Sequence, residues 1–126
     1  MVTWILWALI LAMLAWMGFN YLRIRRAAKI VDNDEFEALI RTGQLIDLRD
    51  PAEFHRKHIL GARNIPSSQL KTSLAALRKD KPVLLYENQR AQRVTNAALY
   101  LKKQGFSEIY ILSYGLDSWK GKVKTS

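Results

Sequence analysis

Residues 1–22, MVTWILWALILAMLAWMGFNYL, carry no charged side chain. At about 1.5 Å of helix rise per residue, such a run crosses a hydrocarbon core of roughly 30 Å. Trp4 and Tyr21 lie near its two ends, where amphipathic rings anchor at the interface, and Arg23, Arg25, Arg26 and Lys29 follow at once. A secretory signal peptide would carry its positive charges ahead of the apolar run, and a buried core helix of this length with no polar face is rare. A transmembrane helix over 1–22, followed by a basic juxtamembrane linker over 23–29, accounts for length, flanks and charge together. The excess of arginine places the linker on the cytoplasmic side, so the expected location is the cell membrane, single-pass, N-terminus outside and C-terminal domain cytoplasmic. The bilayer is then the first partner of this chain.

The remaining residues allow one domain. Net charge is +9, from 20 Lys and Arg against 11 Asp and Glu. That balance suits an anionic partner, and the cluster after the apolar run, drawn to anionic headgroups, accounts for part of it. Nucleic acid is not expected, because no recognised module with aromatics interleaved in a basic patch is present. The chain has no cysteine. Disulfides, thiolate chemistry and cysteine-based zinc sites are excluded together. With only His55 and His58, no metal site is expected, and no cofactor.

Beyond the linker, apolar runs alternate with amphipathic segments. Residues 29–32 read as a short strand. Asn33 or Asp32 caps a helix bearing Phe36, Leu39 and Ile40, with Gly43 at its end. Leu45-Ile46-Asp47-Leu48 reads as a buried strand, and Asp50-Pro51 as a helix start. Ser67 or Ser68 is expected to cap a helix carrying Leu70, Leu74 and Leu77. Pro82 precedes a buried strand, Val83-Leu84-Leu85-Tyr86. A polar turn with two arginines follows, then a helix with Val94, Ala97, Ala98 and Leu101 on one face and Gly105 at its end. Glu108 to Leu112 reads as a last strand, and Gly115 to Trp119 as the start of a short helix. Strands alternating with helices imply a parallel sheet covered on both faces.

Two stretches carry a family resemblance. Asp47-Leu48-Arg49-Asp50-Pro51-Ala52-Glu53-Phe54, continuing to His58-Ile59-Leu60-Gly61-Ala62-Arg63-Asn64-Ile65-Pro66, resembles the first signature of the rhodanese domain. Ser113-Tyr114-Gly115-Leu116-Asp117-Ser118-Trp119 resembles the second, although Tyr114 stands where the family usually has a glycine. The resemblance implies an α/β fold: a rhodanese-like parallel sheet of about five strands over residues 30–122, helices on both faces, one N-terminal transmembrane helix before it and a tail over 123–126. Structural roles are the expectation for the motif residues Asp47, Arg49, Glu53, His58, Gly61, Asn64, Gly115 and Trp119.

The family's active turn is Cys-x-x-x-x-Arg between strand and helix, where the cysteine carries sulfur as a persulfide. Here that turn is Asn88-Gln89-Arg90-Ala91-Gln92-Arg93. Counting back from Gly105 puts Asn88 in the cysteine position and Arg93 on the motif arginine; counting forward from Tyr86 puts Glu87 there instead. The first alignment keeps the arginine in place and is preferred. Neither side chain forms a persulfide. A catalytic residue for sulfur transfer is therefore not expected. What remains is a turn with Arg90, Arg93 and a helix N-terminus, suited to a small oxyanion. The leading expectation is a membrane-anchored, catalytically inactive rhodanese-like domain that binds a protein partner or an anion. The alternative is an enzyme of unrecognised chemistry using Glu87, for which a salt-bridged loop with Arg90 or Arg93 is the plainer account.

Overall fold

The computed structural model describes residues 2–89 and 92–125. The apolar run forms one helix, α1 (Val2–Ala27), and Val2–Arg23 within it is long and apolar enough to cross a membrane or to serve as a signal sequence. None of that window is buried against the rest of the chain, so it is not a core helix of the domain. The helix continues through the basic residues expected to form a linker. No glycine or proline interrupts Arg23 to Ala27, and alanine and arginine are good helix formers. Ala28 alone separates α1 from β1 (Lys29–Val31).

The elements then follow as α2 (Asn33–Ile40), β2 (Gln44–Asp47), α3 (Pro51–Arg56), β3 (Lys57–Ile59), β4 (Arg63–Asn64), β5 (Val83–Tyr86), α4 (Gln92–Lys103), β6 (Ile109–Leu112) and β7 (Val123–Thr125). Asp32 caps α2, its carboxylate accepting the Glu35 N–H at 2.9 Å. Pro51 opens α3, where its missing N–H costs nothing.

Five strands form a parallel sheet in the order β1-β6-β5-β2-β4. Because strand side chains alternate, the sheet sorts its residues onto two faces. Ile46, Val83, Leu85, Ile109 and Ile111 pack with Val94, Ala98 and Leu101 of α4. Leu45, Leu84, Tyr86 and Leu112 pack on the other side with Phe36 of α2 and Leu116. Both faces are covered, as the continuous apolar strands require.

Three further segments differ from the sequence reading. The helix expected from Ser67 through Leu77 is two separate 3₁₀ turns, Ser67–Gln69 and Leu74–Ala76. Leucines every three or four residues suit either helix type. Leu70 and Leu77 still reach the core, while Thr72 and Ser73 between them favour local turns over a continuous α-helix. The short helix expected at Gly115 is a single 3₁₀ turn, Leu116–Ser118. The expected tail is β7, which pairs antiparallel with β3 in a small second sheet, Ile59 opposite Val123.

Candidate functional site

The carboxyl ends of β2 and β5 lie side by side, Asp47 in register with Tyr86. In a parallel sheet this is where ligands bind. Asp47 is fully buried, and its carboxylate accepts from Arg49 Nε at 3.1 Å and Nη2 at 2.8 Å. The pair is fork-to-fork, and Asp47 Oδ1 also accepts the Arg49 backbone N–H at 2.8 Å. Burial pulls the Arg49 pKa down, and the hydrogen bonds and charge of Asp47 more than offset it, leaving the guanidinium above its ordinary value. The remaining Arg49 donors reach Asn88 Oδ1 at 3.0 Å and the Lys57 carbonyl. One arginine thus ties the end of β2 to the turn after β5 and to β3.

Asn64 Nδ2 donates to the Asp47 and Arg49 carbonyls, closing the loop after β2. His58 stacks on Phe54 with ring centroids 3.8 Å apart, and its Nδ1 lies 2.7 Å from the Phe54 carbonyl, to which it donates. Gly61 takes a φ of +91°. Trp119 meets Phe36 edge-on at 5.9 Å. Tyr86, buried at the end of β5, accepts the Ile59 N–H on its hydroxyl at 3.1 Å, and burial above all pushes its pKa up.

Glu87 is the first residue after β5 and is 8% exposed. Its side chain turns inward, and Oε2 accepts the Val94 N–H of α4 at 2.9 Å. Val94 lies in the first turn of α4, where backbone N–H groups lack intrahelical partners. Burial raises the Glu87 pKa; the Val94 hydrogen bond and the Arg93 charge oppose this, while Asp47 and Glu53 add to it. Among the described residues Glu87 and Arg93 form no ion pair. The described partner of Glu87 is thus a helix N–H; of the two arginines suggested by the sequence, Arg93 forms no ion pair with it and Arg90, like Ala91, lies outside the described residues. Asn88 is half-buried and points the other way, to Arg49, and Gln89 Nε2 reaches Asp117 Oδ2 at 3.3 Å.

The loop after β6 closes on this turn. Leu116 N–H donates to the Glu87 carbonyl at 2.8 Å and Asp117 N–H to the Asn88 carbonyl at 3.0 Å. Gly115, at φ +68°, makes the approach: a Cβ there would stand 2.5 Å from both carbonyl oxygens. Outside the turn is an open cavity of about 280 Å³ lined by Arg49, Glu53, Arg56, Lys57, Asn88 and Asp117. Of these, Arg56, Lys57 and Asp117 were not singled out in the sequence. They neighbour the motif positions Glu53 and Gly115, but their convergence depends on β3 folding back beside α3, which no periodicity announces. No group of three or more potential metal ligands occurs among the described residues.

The model of the rhodanese-like domain matches residues 32–122. The uncharacterized protein YqhL of Bacillus subtilis is 47% identical over 113 residues, 90% of this chain and 89% of that protein. A thiosulfate sulfurtransferase GlpE of Stutzerimonas stutzeri is 35% identical over 95 residues, covering 73% of this chain and 84% of its own. Among solved structures, a rhodanese-related protein of Thermoplasma volcanium superposes with a TM-score of 0.70 at 23% identity, over 78% of this chain and 99% of that one. Fold, motifs and relatives agree: the chain belongs to the rhodanese-like domain family, as a member without a cysteine.

Proposed function

We propose that this protein is a membrane-anchored rhodanese-like module that carries out no sulfur transfer and binds a protein partner at the cytoplasmic membrane face. The observation that carries the reading is Glu87. It directly follows β5, is buried, and gives its carboxylate to the first turn of α4. These features favour Glu87 over Asn88 as the occupant of the family's nucleophile position. A carboxylate there holds the N–H that an anionic sulfur or oxyanion would otherwise use, and it does not carry sulfane sulfur. The activity named for the GlpE relatives therefore does not transfer to this chain, which has no thiol.

With the helix N-terminus occupied from within, binding falls to the cavity outside it, whose rim mixes Arg56 and Lys57 with Glu53 and Asp117. Mixed charges on an open surface suit a polypeptide better than a lone anion. A small oxyanion drawn by Arg49, Arg56 and Lys57 is the second reading. The enzyme alternative needs Glu87 to meet substrate, and its inward hydrogen bond and burial argue against that.

The test is cross-linking of the full chain in native membranes, followed by capture, beside a variant carrying Arg56→Glu and Lys57→Glu. A partner recovered with the parent and lost with the variant supports the reading. Thiosulfate:cyanide sulfurtransferase activity above background in the purified protein sinks it. Protease added to intact spheroplasts should leave residues 30–126 uncut; digestion there overturns the orientation.

A further inference from the structure

A second cavity, of about 260 Å³, lies between α4 and the 3₁₀ turn at Ser67–Gln69. Its floor is apolar, made by Leu70, Ala97 and the ring of Tyr100, and its rim carries Arg93, Lys71 and the hydroxyl of Ser68. Lys71 Nζ sits 5.5 Å over the Tyr100 ring, which holds the ammonium at the mouth of the cleft. Among the described residues lining it there is no carboxylate. The charge balance is thus one-sided, unlike that of the cavity beside Asn88.

The position of this cleft is as informative as its lining. α1 touches α4, the helix that forms one wall. Ala28, the first residue beyond α1, belongs to the same buried cluster as Leu70 and Ala97. If α1 spans a bilayer, the layer of the domain built on α4 is the one brought up to the headgroups. We propose that this cleft binds an anionic phospholipid, with the phosphate between Arg93 and Lys71 and the first carbons of one chain on Leu70, Ala97 and Tyr100. This rests on the reading of α1 as a membrane span. A free phosphate would use the rim without needing the apolar floor, and a polypeptide would not need the place beside α1.

The test uses the full chain in maltoside micelles, with amide shifts of Ala97 and Tyr100 as readout. The probes are dihexanoyl phosphatidylglycerol, dihexanoyl phosphatidylcholine and glycerol 3-phosphate. Saturable shifts are expected with the phosphatidylglycerol alone. Removing both cations as Arg93→Gln with Lys71→Gln should weaken the binding about 25-fold, near fivefold per charge. Both side chains are exposed, so the variant should fold, which its spectrum verifies independently. Equal shifts with glycerol 3-phosphate make this a soluble-phosphate site and overturn the proposal. Equal shifts with phosphatidylcholine, an undiminished affinity in the double variant, or no shift with any probe overturn it as well. Extraction of native membranes with alkaline carbonate tests the span by itself: a chain that stays in the pellet but shows no shifts loses the lipid site and keeps the anchor, and a chain that is extracted loses the anchor whatever the shifts.

Discussion

Substituting Gly115→Ala offers a sharp test of how the loop after β6 meets the turn after β5. Gly115 has φ +68° and ψ −164°, a region that only glycine enters readily. Forcing alanine into it costs about 1–3 kcal/mol in backbone strain. A second cost arises because the new Cβ would lie 2.5 Å from the Glu87 and Asn88 carbonyl oxygens and 2.6 Å from the Asn88 carbonyl carbon. All three are backbone atoms, so relief requires moving the turn itself, and overpacking of this kind costs about 1–3 kcal/mol more. Gly61→Ala separates the two costs: φ there is +91°, yet nothing lies within 4 Å of the added methyl. That variant should lose only the strain, about 1–2 kcal/mol. For a domain of this size each kcal/mol lowers the melting temperature by about 4–8 °C. Thermal unfolding of the full chain in micelles, followed by circular dichroism, should therefore show Gly115→Ala melting well below Gly61→Ala. The amides of Leu116 and Asp117 should also exchange faster in Gly115→Ala, because their hydrogen bonds to the turn are the contacts displaced. Equal melting temperatures for the two variants, with Leu116 still protected, would refute the argument that close approach constrains this loop.

Arg49→Met should destabilise the domain by about 3–5 kcal/mol in urea unfolding, because it leaves the Asp47 carboxylate buried without its charge partner; adding Asp47→Asn should recover part of the loss. Tyr86→Phe removes the acceptor for the buried Ile59 N–H and should cost about 1–3 kcal/mol, with faster hydrogen exchange at Ile59. Glu87→Gln tests the buried carboxyl through pH. The folded state raises the Glu87 pKa above the ordinary 4.5, mainly by burial, so it binds the proton more tightly than the unfolded chain. The Glu87 contribution to stability is therefore most favourable below 4.5 and declines as pH rises through the folded value. Urea midpoints should show Glu87→Gln gaining on the parent as pH increases across that window, and a variant that loses ground to the parent instead would contradict the sign.

The centre of the parallel sheet was legible because β5 and β6 are short apolar runs bounded by turn residues and buried along nearly their whole length. Val83 to Tyr86 and Ile109 to Leu112 announce themselves in this way. The signature around Asp47, Arg49 and Asn64 was legible for a different reason: a buried charge pair and a loop-closing amide leave few alternatives in residue type. The 3₁₀ turns were not, since Leu70, Leu74 and Leu77 keep the same spacing whether or not the backbone between them is continuous helix. Nor was the pairing of β3 with β7, because Lys57-His58-Ile59 and Val123-Lys124-Thr125 are too short to show alternation. The inward turn of Glu87 depends on how far the first turn of α4 stands from the end of β5, a distance that counting residues along a loop does not supply.

The strand order has a kinetic consequence. β1 emerges early in synthesis but pairs with β6, Lys29 opposite Tyr110, so its register waits on nearly the whole domain. The earliest sheet contacts available are β2 with β4, and then β2 with β5 across the intervening turns. Closing loops of that length before any reward slows assembly. Until β6 docks between β5 and β1, the backbone groups along one side of β5 lack strand partners. A growing chain is therefore most vulnerable to mispairing in the interval after Tyr86 is made and before Leu112 is in place. Substitutions that weaken β6 should accordingly reduce the yield of folded protein more than their effect on equilibrium stability implies.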